Sequence, residues 1–281
     1  MVVGNKRHAR LLIGARLTLL TAGAAVMILP FAYMVATSFK QNALVLQLPP
    51  QFFPDHPTTA NYREAWSSNQ FGHYFVNSLM VAAATTVLAV FLSSMMAYSF
   101  ARFQFPGRRL LFGLLLIGLM VPTMMLLIPQ FLLARDIGAL NSLWGLVFFY
   151  TAMNLGLNTF LLRSFFQDIP RELEEAMVVD GAGPWARYRQ LIIPLSRPAL
   201  ATVAIFTFLA SWDEFVWALT VINDPGRRTL PIAIALFQGQ HSTSWGLVFA
   251  ASLIAILPVL AIFITFQRQF VSGIASGALK G

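Results

Sequence analysis

Cysteine is absent from the 281 residues, so the chain has no disulfide, no thiol nucleophile and no thiolate metal site. The same absence leaves the redox compartment unreadable. Charge is scarce: Asp, Glu, Lys and Arg together make up 11%, against about a quarter in a soluble domain. Lysine occurs only at Lys6, Lys40 and Lys280, and no GxxxxGK[ST] loop is present, so ATP would have to be hydrolysed by another chain. The four histidines, His8, His56, His73 and His241, lack metal-ligand spacing. Adjacent acids on a helix point about 100° apart and do not converge on one bond, which argues against acid/base catalysis by Asp213 and Glu214. A non-enzymatic chain that binds no cofactor or metal is the expectation. The net charge of +8 could suggest nucleic acid, but the bases are few and spread between apolar runs, so no nucleic-acid partner is expected.

What the chain has is apolar length. It is 57% hydrophobic, with a mean hydropathy of +0.69. A helix needs roughly 20 apolar residues to cross the hydrocarbon layer. Six stretches qualify, at about 12–38, 74–100, 110–133, 139–163, 199–222 and 244–267. The expected fold is therefore an all-α, polytopic membrane protein embedded in lipid. The first run follows Lys6, Arg7 and Arg10 but is too long for a signal-peptide core of about 7–15 residues, and is read as a retained span. With the amino end inside, 14 of the 19 Lys and Arg residues fall on the inner side. The positive-inside rule then puts both termini and the 164–198 loop in the cytoplasm. The expected organisation is an N-terminal segment 1–11, a transmembrane domain 12–267 containing that loop, and a tail 268–281.

Several features interrupt the apolar runs. Lys40 to Gln70, outside, carries Pro49, Pro50, Pro54 and Pro57, which disfavour regular structure, and is expected to form an ordered cap. Arg102 to Arg109, around Pro106 and Gly107, needs no more than a topology-setting basic turn. Pro122 and Pro129 are expected to bend the third span, as a moving pathway or an ordinary packed bundle would. Asn154 and Asn158 share a face of the fourth span, where amides can meet substrate hydroxyls or a neighbouring helix. In the fifth, Trp212 precedes Asp213 and Glu214, carboxylates that must face a cavity, a partner or the interior.

The long polar interruption in the second half is Glu174 to Pro194, EEAMVVDGAGPWARYRQLIIP. Asp168 and Pro170 favour a helix start, and Glu172, Glu174 and Glu175 suit its first turns. Leu173, Ala176, Met177 and Asp180 recur at helical spacing on one face. Gly181 and Gly183, followed by Pro184, mark a stop and turn, after which Arg187 and Arg189 make a basic arm. The pattern predicts a short docking helix, a tight turn and a basic segment between two spans.

This stretch resembles the EAA loop of ABC importer permeases. Glu175, Ala176 and Met177 stand for Glu-Ala-Ala, Gly181 for the glycine, and Leu191, Ile193 and Pro194 for the closing Ile-x-Leu-Pro, with spacing kept throughout and Met177 replacing alanine. Asp180-Gly181-Ala182, the SWDEFVWAL segment at Ser211 to Leu219, Thr229-Leu230-Pro231 and the Lys-Gly tail are similar to the maltose-type carbohydrate-uptake branch, with Asp213 where that branch usually has Asn. The resemblance implies a type I importer permease fold and a sugar or sugar-like solute. It also implies a homologous permease partner, a dimer of ATPase subunits holding ATP and Mg, and an extracellular or periplasmic solute-binding protein. Glu174, Glu175, Ala176, Met177, Asp180, Gly181, Leu191 and Pro194 would then serve ATPase coupling, with the Glu174 and Glu175 carboxylates meeting basic groups of the ATPase. Asn154, Asn158, Trp212, Asp213 and Glu214 would line the substrate pathway. An ion-coupled secondary transporter using Asp213 or Glu214 is the competing reading, and a membrane enzyme or scaffold lacks the residues it would need.

Overall fold

A computed structural model describes residues 6–40, 52–54, 56–238 and 243–278. Its helices are α1 (Lys6–Ser38), α2 (Ala60–Ser67), α3 (Phe71–Arg102), α4 (Arg108–Met120), α5 (Leu127–Asp136), α6 (Leu143–Asp168), α7 (Arg171–Val179), α8 (Pro184–Arg187), α9 (Ile193–Leu195), α10 (Arg197–Trp212), α11 (Val216–Val221), α12 (Leu230–Leu236) and α13 (Trp245–Ala278). A π-helical turn, Tyr188–Ile192, joins α8 to α9. Among the described residues there is no strand, only an isolated bridge between Gln238 and Thr243. The all-α expectation is met.

Four unbroken helical segments are long and apolar enough to cross a membrane: Leu12–Ser38, Phe71–Arg102, Leu143–Asp168 and Trp245–Gln267. Two further pairs qualify only when each is taken as one bent span: Arg108–Met120 with Thr123–Asp136, bent by 100°, and Pro184–Leu195 with Arg197–Trp212, bent by 78°. The bend in the third predicted span falls at Pro122, where the ring removes a backbone donor. Continuous helices at 110–133 and 199–222 are therefore corrected. The former breaks at Val121–Pro122, and α10 stops at Trp212 before the chain resumes helix at Val216. The last helix also runs past the predicted end at 267, to Ala278.

The chain divides into two compact units, one of residues 1–69 with 234–254, the other of 70–233 with 255–281. In the first, α1 exposes apolar side chains along its length, including Leu19, Val26, Met27 and Phe31, a surface suited to hydrocarbon. The cap expected to lack regular structure forms α2 beyond its prolines. Asn61 is buried there, its amide donating to the carbonyls of Ser38 and Lys40, both at 2.8 Å. Gly246 lies so close that a Cβ would stand 2.8 Å from that amide nitrogen.

The second unit is built around α3, α6 and α10. The buried face of α3 is a run of small residues, Ala82, Ala89, Ser93, Ser94, Ala97 and Ala101, which lets neighbouring backbones approach. Apolar side chains gather towards its two ends. Val81 joins Leu146, Phe149, Tyr150, Trp217 and Val221 at one. Ala97 and Tyr98 join Leu162, Phe166, Tyr188, Ile192 and Val203 at the other.

Candidate coupling site and helix break

The loop between α6 and α10 folds as its residue types dictate. Pro170 caps α7 one position earlier than a first-helical-turn proline would, and Glu172 and Glu174 lie in the first turn, where the helix dipole favours them. The helix ends at Val179, so Asp180 is its C-cap rather than part of the shared face. Gly181 has φ +81, Ala182 N–H donates to the Met177 carbonyl at 2.8 Å, and Gly181 N–H donates to that of Val178 at 2.9 Å. These paired bonds form a Schellman motif, which places a left-handed residue after the C-cap. Glycine meets that requirement without steric cost.

The two neighbouring acids point in different directions. Glu175 is exposed, whereas Glu174 is buried, with 8% of its side chain accessible. Its carboxylate pairs with Arg102 at 2.5 Å and with Arg187 at 3.7 Å. Arg102 also donates to the Ile169 carbonyl at 2.7 Å. The expectation that Glu174 is presented to the ATPase is thus corrected: its charge is taken up inside the chain. Arg102 is likewise more than a topology-setting base, since it ties the end of α3 to α7. A small cavity of about 150 Å³ beside the pair is lined by Phe103, Arg171, Glu175 and Val178 as well as the three charged groups. The one signal of this role in the sequence is that an arginine closes a long apolar helix.

The remaining surface of α7 faces outward. Leu173, Ala176, Val178 and Val179 are exposed, Val179 at 88%, and Trp185 of α8 is exposed as well. Met177, Leu191 and Pro194 are partly buried. Tyr188 anchors the basic arm through a hydroxyl bond to Ser94 of α3 at 2.6 Å.

At the other cluster, the fifth predicted span unwinds at Asp213, Glu214 and Phe215. Glu214 turns back on α11, accepting from the N–H groups of Trp217 at 2.7 Å and Ala218 at 3.0 Å. It also accepts from the Tyr150 hydroxyl of α6 at 2.5 Å. Three donors converge on one carboxylate, which satisfies orphan amides at the start of α11. Tyr150 was not among the sequence candidates, because only the tertiary fold brings it to Glu214. Asp213 is exposed at the break, the single charged candidate of the pathway set that faces outward.

The other pathway candidates bind helices. Asn158 is buried and donates to Thr207 Oγ1 of α10 at 2.8 Å, and Asn154 donates to the Tyr150 carbonyl of its own helix at 2.8 Å. Trp212 is buried, stacks on Phe208 with ring centroids 5.7 Å apart, and donates from Nε1 to the Ala255 carbonyl at 3.2 Å. Of the two roles open to Asn158, the structure places it on its helix neighbour. Asn158→Leu should therefore cost about 1 kcal/mol in stability by leaving Thr207 unpaired, read as a lower melting temperature of the purified protein, without altering which solute competes for uptake.

At the other end of α3, the segment after α11 is held to the start of that helix. His73 Nε2 lies 2.7 Å from the Gly226 carbonyl, Asn77 Nδ2 donates to the carbonyls of Gly226 and Arg228 at 3.2 and 2.9 Å, and Leu230 N–H donates to Ser78 Oγ at 2.7 Å. Leu230 and Pro231 open α12, with Thr229 just before it.

These features define a helical membrane protein with broken spans and a structured polar loop. Residues 89–275 match the model of the family described as the binding-protein-dependent transport system inner membrane component, and the chain belongs to that family. It is 34% identical over 264 residues to the diacetylchitobiose uptake system permease protein NgcG of Streptomyces coelicolor, covering 93% of this chain and 87% of that one. To the trehalose/maltose transport system permease protein MalG of Thermococcus litoralis it is 37% identical over 262 residues, covering 92% and 93%. A solved bacterial ABC transporter involved in import of the acidic polysaccharide alginate superposes with a TM-score of 0.79 over 95% of this chain and 99% of that chain, at 22% identity, which speaks to the fold. The protein is a multi-pass permease of an ABC importer.

Proposed function

We propose that this permease translocates a sugar or sugar-like solute and is driven through α7 by a pair of ATPase subunits. The relatives described as diacetylchitobiose and trehalose/maltose permeases support the solute class. The observation that carries the coupling reading is the exposed surface of α7. A short helix anchored by one buried carboxylate and closed by a Schellman turn leaves Ala176, Val178 and Val179 outward, an apolar patch flanked by the exposed acids Glu172, Glu175 and Asp180. Such a patch is what a protein partner covers. Ala176 allows close approach, Gly181 sets the turn, and Pro194 fixes the exit towards α10.

In this reading six spans, with α4 to α5 bent and α10 continued by α11, place both termini and the loop at 164–198 in the cytoplasm. The tail 268–281 lies on the same side. A homologous permease completes the pathway, the ATPase subunits hold ATP and Mg, and a solute-binding protein docks on the outer face. Asp213, at the break, is the residue of this chain best placed to meet solute hydroxyls. The ion-coupled alternative loses support from Glu214, whose carboxylate is occupied by three protein donors.

The first test is gentle purification from the native membrane with mass spectrometry of the co-purifying chains. An ATPase and a second permease are expected; recovery of the chain alone, active with an ion gradient, would overturn the reading. Glu175→Ala should lower uptake about tenfold, the loss of one charge-assisted contact of about 1.4 kcal/mol, while the ATPase still co-purifies at high protein concentration. Unchanged uptake would remove Glu175 from the interface.

A further inference from the structure

We infer that α3 carries displacement of the coupling loop to the outer face, through a buried ionic joint of Arg102, Glu174 and Arg187 at one end and the grip of Asn77 and Ser78 on the 226–230 segment at the other. The inference rests on the proposed docking of an ATPase at α7 and goes beyond it by naming the element that moves. Loop motion would otherwise be expected to pass only into α6 and α10, which flank the loop in sequence.

Three observations make α3 the better conductor. It is unbroken over 32 residues, about 48 Å at 1.5 Å per residue, whereas α10 ends at Trp212 before the outer loop is reached. At its cytoplasmic end the joint is charged and buried: Arg102 and Glu174 have 6% and 8% of their side chains accessible and stand 2.5 Å apart. A buried ion pair is strongly resisted from separating, because either partner alone would be left unpaired away from water. Arg187 at 3.7 Å adds the segment beyond Gly181 to the same joint, and the Arg102 bond to the Ile169 carbonyl adds the C-cap of α6. At the outer end the grip is by hydrogen bonds to backbone. Asn77 reaches the carbonyls of Gly226 and Arg228, and Ser78 accepts from Leu230 N–H in a buried setting, so the segment must follow the helix. Between the apolar clusters at its two ends, the small buried residues Ala82, Ala89, Ser93 and Ser94 leave the middle of α3 free of large knobs that would resist a tilt. Glu174 is in this account a positioning residue, and the neighbouring Glu175 the docking one.

The absence of cysteine allows a direct test. In the complex purified with its ATPase, a single Asn223→Cys reporter on the exposed outer segment is labelled with a membrane-impermeant maleimide, with and without Mg-ATP. A several-fold change in labelling rate on adding Mg-ATP is expected in the parent. Arg102→Gln or Glu174→Gln should abolish that change although the ATPase still co-purifies, and Arg102→Lys, which keeps the charge, should restore most of it. Asn77→Leu, remote from the loop, should abolish it as well. A purely local structural role for the ion pair would lower melting temperature without removing the response to nucleotide. A response preserved in the Gln variants that retain the ATPase, or absent from the parent, overturns the inference. Failure of the ATPase to co-purify with the parent overturns instead the importer reading on which it rests.

Discussion

Replacing Glu214 with alanine is expected to destabilise the protein by on the order of 3 kcal/mol, seen as a fall of several degrees in melting temperature of the purified complex. The side chain accepts from the Tyr150 hydroxyl and from the N–H groups of Trp217 and Ala218. Truncation strands all three donors, and Tyr150 is among the most deeply buried residues of the chain. Each unsatisfied buried group costs about 1–3 kcal/mol, and a membrane interior offers little water to repair the loss. Glu214→Gln keeps an acceptor for the two amides and can still meet the tyrosine hydroxyl, so it should cost only about 1 kcal/mol. Melting curves of the two variants separate this account from the ion-coupling one. A carboxylate that exchanges protons for transport would make Gln as damaging to uptake as Ala while leaving stability intact.

The elements legible in the sequence were those set by local pattern. Long apolar runs located α1, α3, α6 and α13, although α1 begins earlier, at Lys6, and α13 runs on to Ala278, and Gly181 and Gly183 followed by Pro184 announced the turn that closes α7. The break at Asp213 was not legible, because Phe215, Val216 and Trp217 continue the apolar run and no proline or glycine stops it. What opens the helix there is the capture of two backbone amides by Glu214, held in turn by Tyr150, a residue far away in sequence. The distinction between Glu174 and Glu175 was hidden for the same reason. Both suit the first turns of a helix equally, and the arginines that select Glu174 for burial, Arg102 at the end of another helix and Arg187 beyond the turn, meet it only in the fold. Asn158 was ambiguous in sequence because an amide serves a sugar and a neighbouring helix alike; the proximity of Thr207 decides between them.

Gly181→Val should open the turn after α7 and weaken retention of the ATPase about tenfold, while Gly183→Val, two residues on, should leave it unchanged. Both glycines have open space around them, since a Cβ at either would meet nothing within 4 Å. They differ in backbone: Gly181 sits at φ +81, whereas Gly183 sits at φ −70 with ψ 170, which any residue adopts. The left-handed conformation costs an ordinary residue about 1–2 kcal/mol, and a branched side chain falls at the upper end. That cost is set against two hydrogen bonds, Ala182 to Met177 and Gly181 to Val178, which fix the direction in which the chain leaves the helix. Relaxing φ breaks both and swings α8, with Trp185 and Arg187, away from α7. Gly181→Asn supplies the complementary case, because asparagine tolerates the left-handed region, and it should retain the ATPase better than Val does. The measurement is the amount of ATPase held by the immobilised permease as the ATPase concentration is lowered. Equal loss at positions 181 and 183 would mean that bulk at the surface matters, and that the Schellman turn does not set the docking geometry.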